Sequence, residues 1–122
     1  MTGTTFDKYG GFAAVSRIVM TFYDLVLDDD LVGHHFDDVD MPKLIDHQTK
    51  FISSLMGGPE AIQDGRLRLV HHKLDITDAE FDQIVVLLAE ALESHGVAAR
   101  DIGEVKQLVE SKRPLVVRRA PA

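Results

Sequence analysis

From Phe12 to Leu27 the apolar residues Val15, Ile18, Val19, Phe22, Tyr23 and Val26 recur at the i, i+3, i+4, i+7 spacing of one helix face. The same rhythm returns in most later segments, and no run alternates as a half-buried strand would. This spacing predicts an all-α chain of about four substantial helices, each burying its stripe against another helix. At 122 residues the chain suits a single domain over residues 1–122, in which residues 118–122 read as a tail.

Local signals set the boundaries. Gly10-Gly11 precedes the first helix and Asp28-Asp29-Asp30 follows it. A second helix is predicted from Asp40-Met41-Pro42, where aspartate caps and proline is tolerated in the first turn, to Leu55-Met56. Gly57-Gly58-Pro59 stops it, and the stretch from Gly58 to Leu67 reads as loop. The sharpest boundary is Thr77, which forms an S/T-x-x-E capping box with Glu80 while Ile76 and Phe81 occupy the staple positions. Each of these links contributes about 1 kcal/mol. The helix they start runs through Ile84, Leu87, Leu88 and Leu92 to Gly96. A last helix is expected to begin near Asp101 and to carry Ile102, Val105, Leu108 and Val109. Pro114 interrupts or ends it, with Val116-Val117 still able to pack.

Charge and motif content remove several classes of function. The net charge is −7, with acidic clusters at Asp28-Asp29-Asp30 and at Asp37-Asp38 followed by Asp40. Such a surface repels nucleic acid, and Arg118-Arg119 is too small a basic cluster to offset it. There is no cysteine, hence no disulfide or thiolate site. The first residues lack a signal-peptide pattern, and no apolar run approaches the ~20 residues of a membrane span. A cytoplasmic protein with no membrane partner is expected. Also missing are H-E-x-x-H, G-x-S-x-G, P-loop and G-x-G-x-x-G patterns, the helical i, i+4 histidine pairs of many zinc sites, and the E-x-x-H pairs of di-iron bundles.

What remains is a set of polar residues in apolar places. On the second helix Leu44, Gln48, Phe51 and Leu55 share a face, with His47 at its border. An unpaired polar group there would cost about 1–3 kcal/mol, so each needs a partner. A backbone carbonyl commonly serves a lone histidine in this way, and Tyr23 taken singly is an ordinary amphipathic aromatic. Further along, if Leu67-Arg68-Leu69-Val70-His71-His72-Lys73-Leu74 is helical, then Leu67, Val70, His71 and Leu74 share a face and His72 points away. His71 there is either a metal ligand or a partly exposed imidazole.

Together these residues resemble the truncated haemoglobins of group I. The pieces are Phe6-Asp7-Lys8-Tyr9-Gly10-Gly11, Phe22-Tyr23-Asp24-Leu25-Val26-Leu27, Phe36, Val39-Asp40-Met41, His47-Gln48-x-x-Phe51, Gly57-Gly58-Pro59 and His71-x-x-Leu74-Asp75-Ile76-Thr77. The likeness covers about residues 6 to 117. It implies a two-over-two helical sandwich, a shortened globin holding haem b. His71 matches the proximal iron ligand, and Phe36 the aromatic that stacks on the porphyrin. Tyr23 and Gln48 match the distal hydrogen-bond donors. Leu44, Phe51, Leu67, Val70, Ile76, Phe81 and Ile84 match positions lining the apolar pocket, while Arg66, Arg68 and Lys73 are candidates for the propionates.

Two departures stand out. A frequent distal glutamine is here Leu44. His47 beside Gln48 is similar to cyanobacterial members whose histidine ligates the iron, so the resemblance implies a bis-histidine haem; the alternative turns His47 outward. Some of those relatives also join a C-terminal histidine to a haem vinyl group, but no histidine follows His95, so that link is expected to be absent. The implied ligands are O2, NO and CO, and the implied roles are oxygen binding or NO oxidation to nitrate with an external reductase, in a monomer or weak dimer. A redox or ligand-sensing module is the competing reading, because six iron ligands in both oxidation states reorganise little. A helical interaction domain without haem would leave the matched positions unexplained.

Overall fold

In the computed structural model, which describes residues 5–37, 39–58 and 76–117, the apolar rhythm becomes helix nearly where it was read. The order is α1 (Thr5–Lys8), α2 (Gly11–Asp28), a 3-10 turn (Gly33–Phe36), α3 (Met41–Leu55), α4 (Asp78–Ser94), α5 (Ala99–Glu110) and α6 (Arg113–Val116). Only an isolated parallel bridge, Ile76 to Val117, interrupts the helical character of the described residues. The fold is all-α: α2 packs on both α3 and α4, and α4 packs on α5.

Helix α2 is the central element because its stripe is continuous. Val15, Ile18, Val19, Tyr23 and Val26 are buried, and they join Ile52 of α3 and Met56 just after it with Phe81, Val85, Leu88 and Leu92 of α4 in one core. Burying side chains of this size contributes about 1.5–3 kcal/mol each.

The helix starts follow the predicted chemistry. Asp40 caps α3 by accepting from the Lys43 N–H at 3.2 Å, with Pro42 in the first turn. Thr77 Oγ1 accepts from the Glu80 N–H at 3.1 Å, and Glu80 Oε1 accepts from the Thr77 N–H at 2.9 Å, closing the capping box. Ile76 and Phe81 are buried on either side of it, as a staple requires.

Helix α5 begins at Ala99, two residues before the position expected from sequence. Asp101 is not its cap. Instead its Oδ2 accepts from the Tyr9 hydroxyl at 2.5 Å and from Lys8 Nζ at 2.9 Å. The Tyr9 oxygen in turn accepts from the Ala98 N–H at 2.9 Å. The start of α5 is thus set by residues near the other end of the chain. Helix α1 is anchored a second time, through the Phe6 N–H to the Met56 carbonyl at 2.8 Å.

Two features were not expected from the sequence. Asp29 Oδ1 accepts from the Leu31 and Val32 N–H groups, and its Oδ2 from Gln83 Nε2 at 2.7 Å, tying the end of α2 to α4. The 3-10 turn that follows depends on Gly33. A Cβ there would lie 2.9 Å from the Leu27 carbonyl oxygen and 3.0 Å from that of Val26, so the turn can approach the end of α2 only without a side chain. Pro114 does end the regular path of α5, and α6 restarts around it. Val117 is buried, as its apolar character suggested.

Candidate functional site

Tyr23 lies four residues after Val19 and three before Val26, so the α2 stripe carries its ring inward, where it is 3% exposed. A buried phenol needs a partner, and the Gln48 side chain supplies it from α3. Burial pushes the Tyr23 pKa far above the usual tyrosine range, and the bond from Gln48 opposes this only in part. The hydroxyl therefore keeps its proton and remains a donor.

Aromatic rings frame this hydroxyl. Phe22 meets Tyr23 edge-on at 4.8 Å between centroids, and Phe36 meets it at 5.7 Å. Phe36 reaches that place because Gly33 lets the 3-10 turn close on α2. Phe36, Leu44, Phe51 and Ile84 are all partly buried and all pack against the common core. Ile76 and Phe81 lie deeper, wholly within the protein core. His47 is half-buried on α3, one residue before Gln48.

Large apolar side chains left partly accessible by the core suit a flat, mostly apolar macrocycle. The buried Tyr23 hydroxyl and the half-buried Gln48 amide add the few polar contacts that such a site needs. On both counts the residues fit haem. Of the sequence candidates, the structure brings together Tyr23, Gln48 and Phe36. His71, Leu67 and Val70, with Arg66, Arg68 and Lys73, lie outside the described residues, as does the stretch read as loop beyond Gly58.

Several polar residues that hold this frame gave no sequence signal. His35 Nε2 donates to Glu80 Oε2 at 2.6 Å, joining the 3-10 turn to α4. Arg113 bonds Asp78 and Glu110, pairs with Asp82, and lies 4.5 Å from the centroid of Phe81. Glu110 is three residues before it, but Asp78 and Asp82 come from α4, where no local spacing could reveal them.

Helices packed about a buried tyrosine and its half-buried glutamine partner are the frame of a globin of the shortened kind. A family model described as bacterial-like globin matches residues 4–116. The group 1 truncated haemoglobin of Tetrahymena thermophila is 34% identical over 110 residues, covering 90% of this chain and 91% of that one. The 2/2 haemoglobin of a Synechococcus species, solved in the cyanomet state with covalently attached haem, superposes with a TM-score of 0.87 at 34% identity, covering 96% of this chain and all of that one. The truncated haemoglobin of Tetrahymena pyriformis in its Fe(III) form gives a TM-score of 0.86 at 31% identity over the same share of this chain.

The chain belongs to the bacterial-like globins, and within them to the truncated haemoglobins of group 1. Its cofactor is haem iron, the group through which globins bind diatomic gases. No helix among the described residues is long and apolar enough to cross a membrane.

Proposed function

We propose that this globin binds haem b through His71 and uses Tyr23 and Gln48 to hold O2, NO or CO, with His47 as a sixth ligand that must yield first. Its setting would be the cytoplasm, as a monomer or weak dimer. The observation that carries the reading is the buried Tyr23 hydroxyl, bonded by Gln48 from the neighbouring helix and faced by Phe36.

Haem iron supplies reversible uptake of diatomic gases and, with electrons from a reductase, the oxidation of NO by O2 to nitrate. The chain's own part is to orient and to exclude. Tyr23 stays protonated and donates, and the Gln48 amide donates beside it. Leu44 donates nothing, so the polar contact falls on those two residues. The Phe36 ring packs edge-on against the Tyr23 ring. Leu67, Val70, Phe51, Ile76, Phe81 and Ile84 would supply apolar contact, and Arg66, Arg68 and Lys73 charge for the propionates.

His47 is half-buried on the face that carries Leu44 and Phe51, which favours its binding iron. Apparent gas affinity then falls by the fraction of protein in which His47 has let go. The same feature supports a second reading, an electron-transfer or sensing module whose ligand switch a partner reads.

Absorption spectra of the haem-loaded protein test the scheme. Low-spin bands are expected in both oxidation states without added ligand, and His47→Ala should convert them to high spin. A high-spin spectrum with His47 present overturns the sixth-ligand claim. His71→Ala protein that retains haem with an unchanged spectrum overturns the proximal assignment. Stoichiometric nitrate on mixing the oxygenated protein with NO, sustained by a reductase, would favour oxidation over simple binding.

A further inference from the structure

Away from the Tyr23–Gln48 pair, the 3-10 turn and the first turn of α4 bring two imidazoles to one carboxylate. His35 Nε2 lies 2.6 Å from Glu80 Oε2, and His34 Nε2 lies 3.8 Å from the same oxygen. The three ligand atoms that these residues offer all fall within 4.8 Å of one another. We propose that His34, His35 and Glu80 form a second metal site, separate from the haem iron, for a divalent ion of the zinc class.

The donor chemistry suits that ion. Two imidazole nitrogens and one carboxylate oxygen are a known zinc ligand set, completed by water in the fourth position. Bonds of about 2.0–2.2 Å in a tetrahedron set ligand atoms roughly 3.3 Å apart. The His34 distance must close by a few tenths of an ångström and the His35 distance must open by somewhat more. Both are rotamer-scale adjustments.

The carboxylate is already oriented for the task. Its other oxygen, Oε1, is held by the Thr77 N–H at 2.9 Å, which leaves Oε2 turned toward the histidines. The two imidazole rings lie 4.1 Å apart, tilted by 35°, so they approach that oxygen side by side. A hydrogen bond from His35 uses Oε2 once, and at 3.8 Å His34 is too far to form a second. A metal ion would engage both.

Access is also graded as a site requires. The His35 and Glu80 side chains are each 10% exposed, whereas that of His34 is 60% exposed and offers the entrance. The net charge of −7 favours arrival of a cation. A bound ion would clamp the turn that carries Phe36 to α4, and so fix the ring that faces Tyr23.

The test is calorimetric titration of untagged, haem-loaded, chelator-washed protein with zinc chloride, repeated on His34→Ala and Glu80→Gln. One equivalent should bind with a micromolar or tighter Kd, and His34→Ala, at an exposed position, should weaken it at least tenfold. Zinc should raise the melting temperature of the unaltered protein and leave that of His34→Ala unchanged. Anomalous scattering from a zinc-soaked crystal should place the ion between His34 and Glu80. Binding that His34→Ala leaves unchanged would assign the zinc to other histidines and overturn the proposal, as would no saturable heat up to millimolar zinc.

Discussion

The Tyr23–Gln48 pair and the Thr77–Glu80 pair each join an inward-facing polar side chain to a second polar group, yet they are built in opposite ways. In the second pair, each oxygen has an assigned partner: Thr77 Oγ1 takes the Glu80 N–H, Glu80 Oε1 takes the Thr77 N–H, and Glu80 Oε2 takes His35. Of the residues involved, only His35 lies outside a single helical turn. The first pair joins side chains of two different helices, and between them a phenol and an amide carry more donors than one mutual bond uses. A closed set of bonds fixes an element in place. An open one can take a third party with no bond given up, whereas a metal ion at Glu80 would replace the bond from His35.

Glu80→Ala should produce the largest break. It removes the carboxylate from both the Thr77 N–H and buried His35, and should lower unfolding stability by about 2–3 kcal/mol in denaturant titrations. Next comes Tyr23→Phe, which keeps the ring and its packing. Its stability loss should stay near about 1 kcal/mol, while O2 dissociation measured by stopped flow should speed up roughly tenfold, because a donor of about 1.4 kcal/mol is lost. Thr77→Ala sharpens the contrast: about 1 kcal/mol of stability should go with no change in O2 dissociation. The smallest effect concerns Asp101. Bonds from Tyr9 and then Lys8 hold its carboxyl below the usual range against the opposing effect of burial. A depressed carboxylate pKa gives stability that is complete above the ordinary value and is lost as pH falls through the depressed one. Asp101→Asn should therefore lower stability at neutral pH, with the deficit shrinking below about pH 4, so that the acid unfolding profile is flatter.

Legibility in the sequence divides along the same line. The Thr77 box, the Asp40 cap and the α2 stripe were readable because their partners stand three or four residues apart. Tyr23 and Gln48 were suspect from the sequence only as polar residues in apolar stripes, and the family resemblance gave them their joint role. The links of His35 to Glu80, of Asp29 to Gln83 and of Arg113 to Asp78 and Asp82 were invisible for the reason that Asp101 was misplaced: those partners are supplied by another helix. His34 and His35 escaped the search for zinc patterns because they are adjacent in a 3-10 turn and find their third ligand 45 residues away. Spacing rules for a single helix do not reach that geometry.

The hydroxyl of Tyr9 has one more consequence. It accepts from the Ala98 N–H and donates to Asp101, so the N-terminal helix does for α5 what a local capping residue does elsewhere. Amide protons at the start of α5 should then exchange with solvent as a group, at the rate set by release of α1, forming one cooperative opening unit from two distant stretches of chain. A short segment near one end thereby governs the opening of a helix whose N-cap, Ala98, lies 89 residues beyond Tyr9.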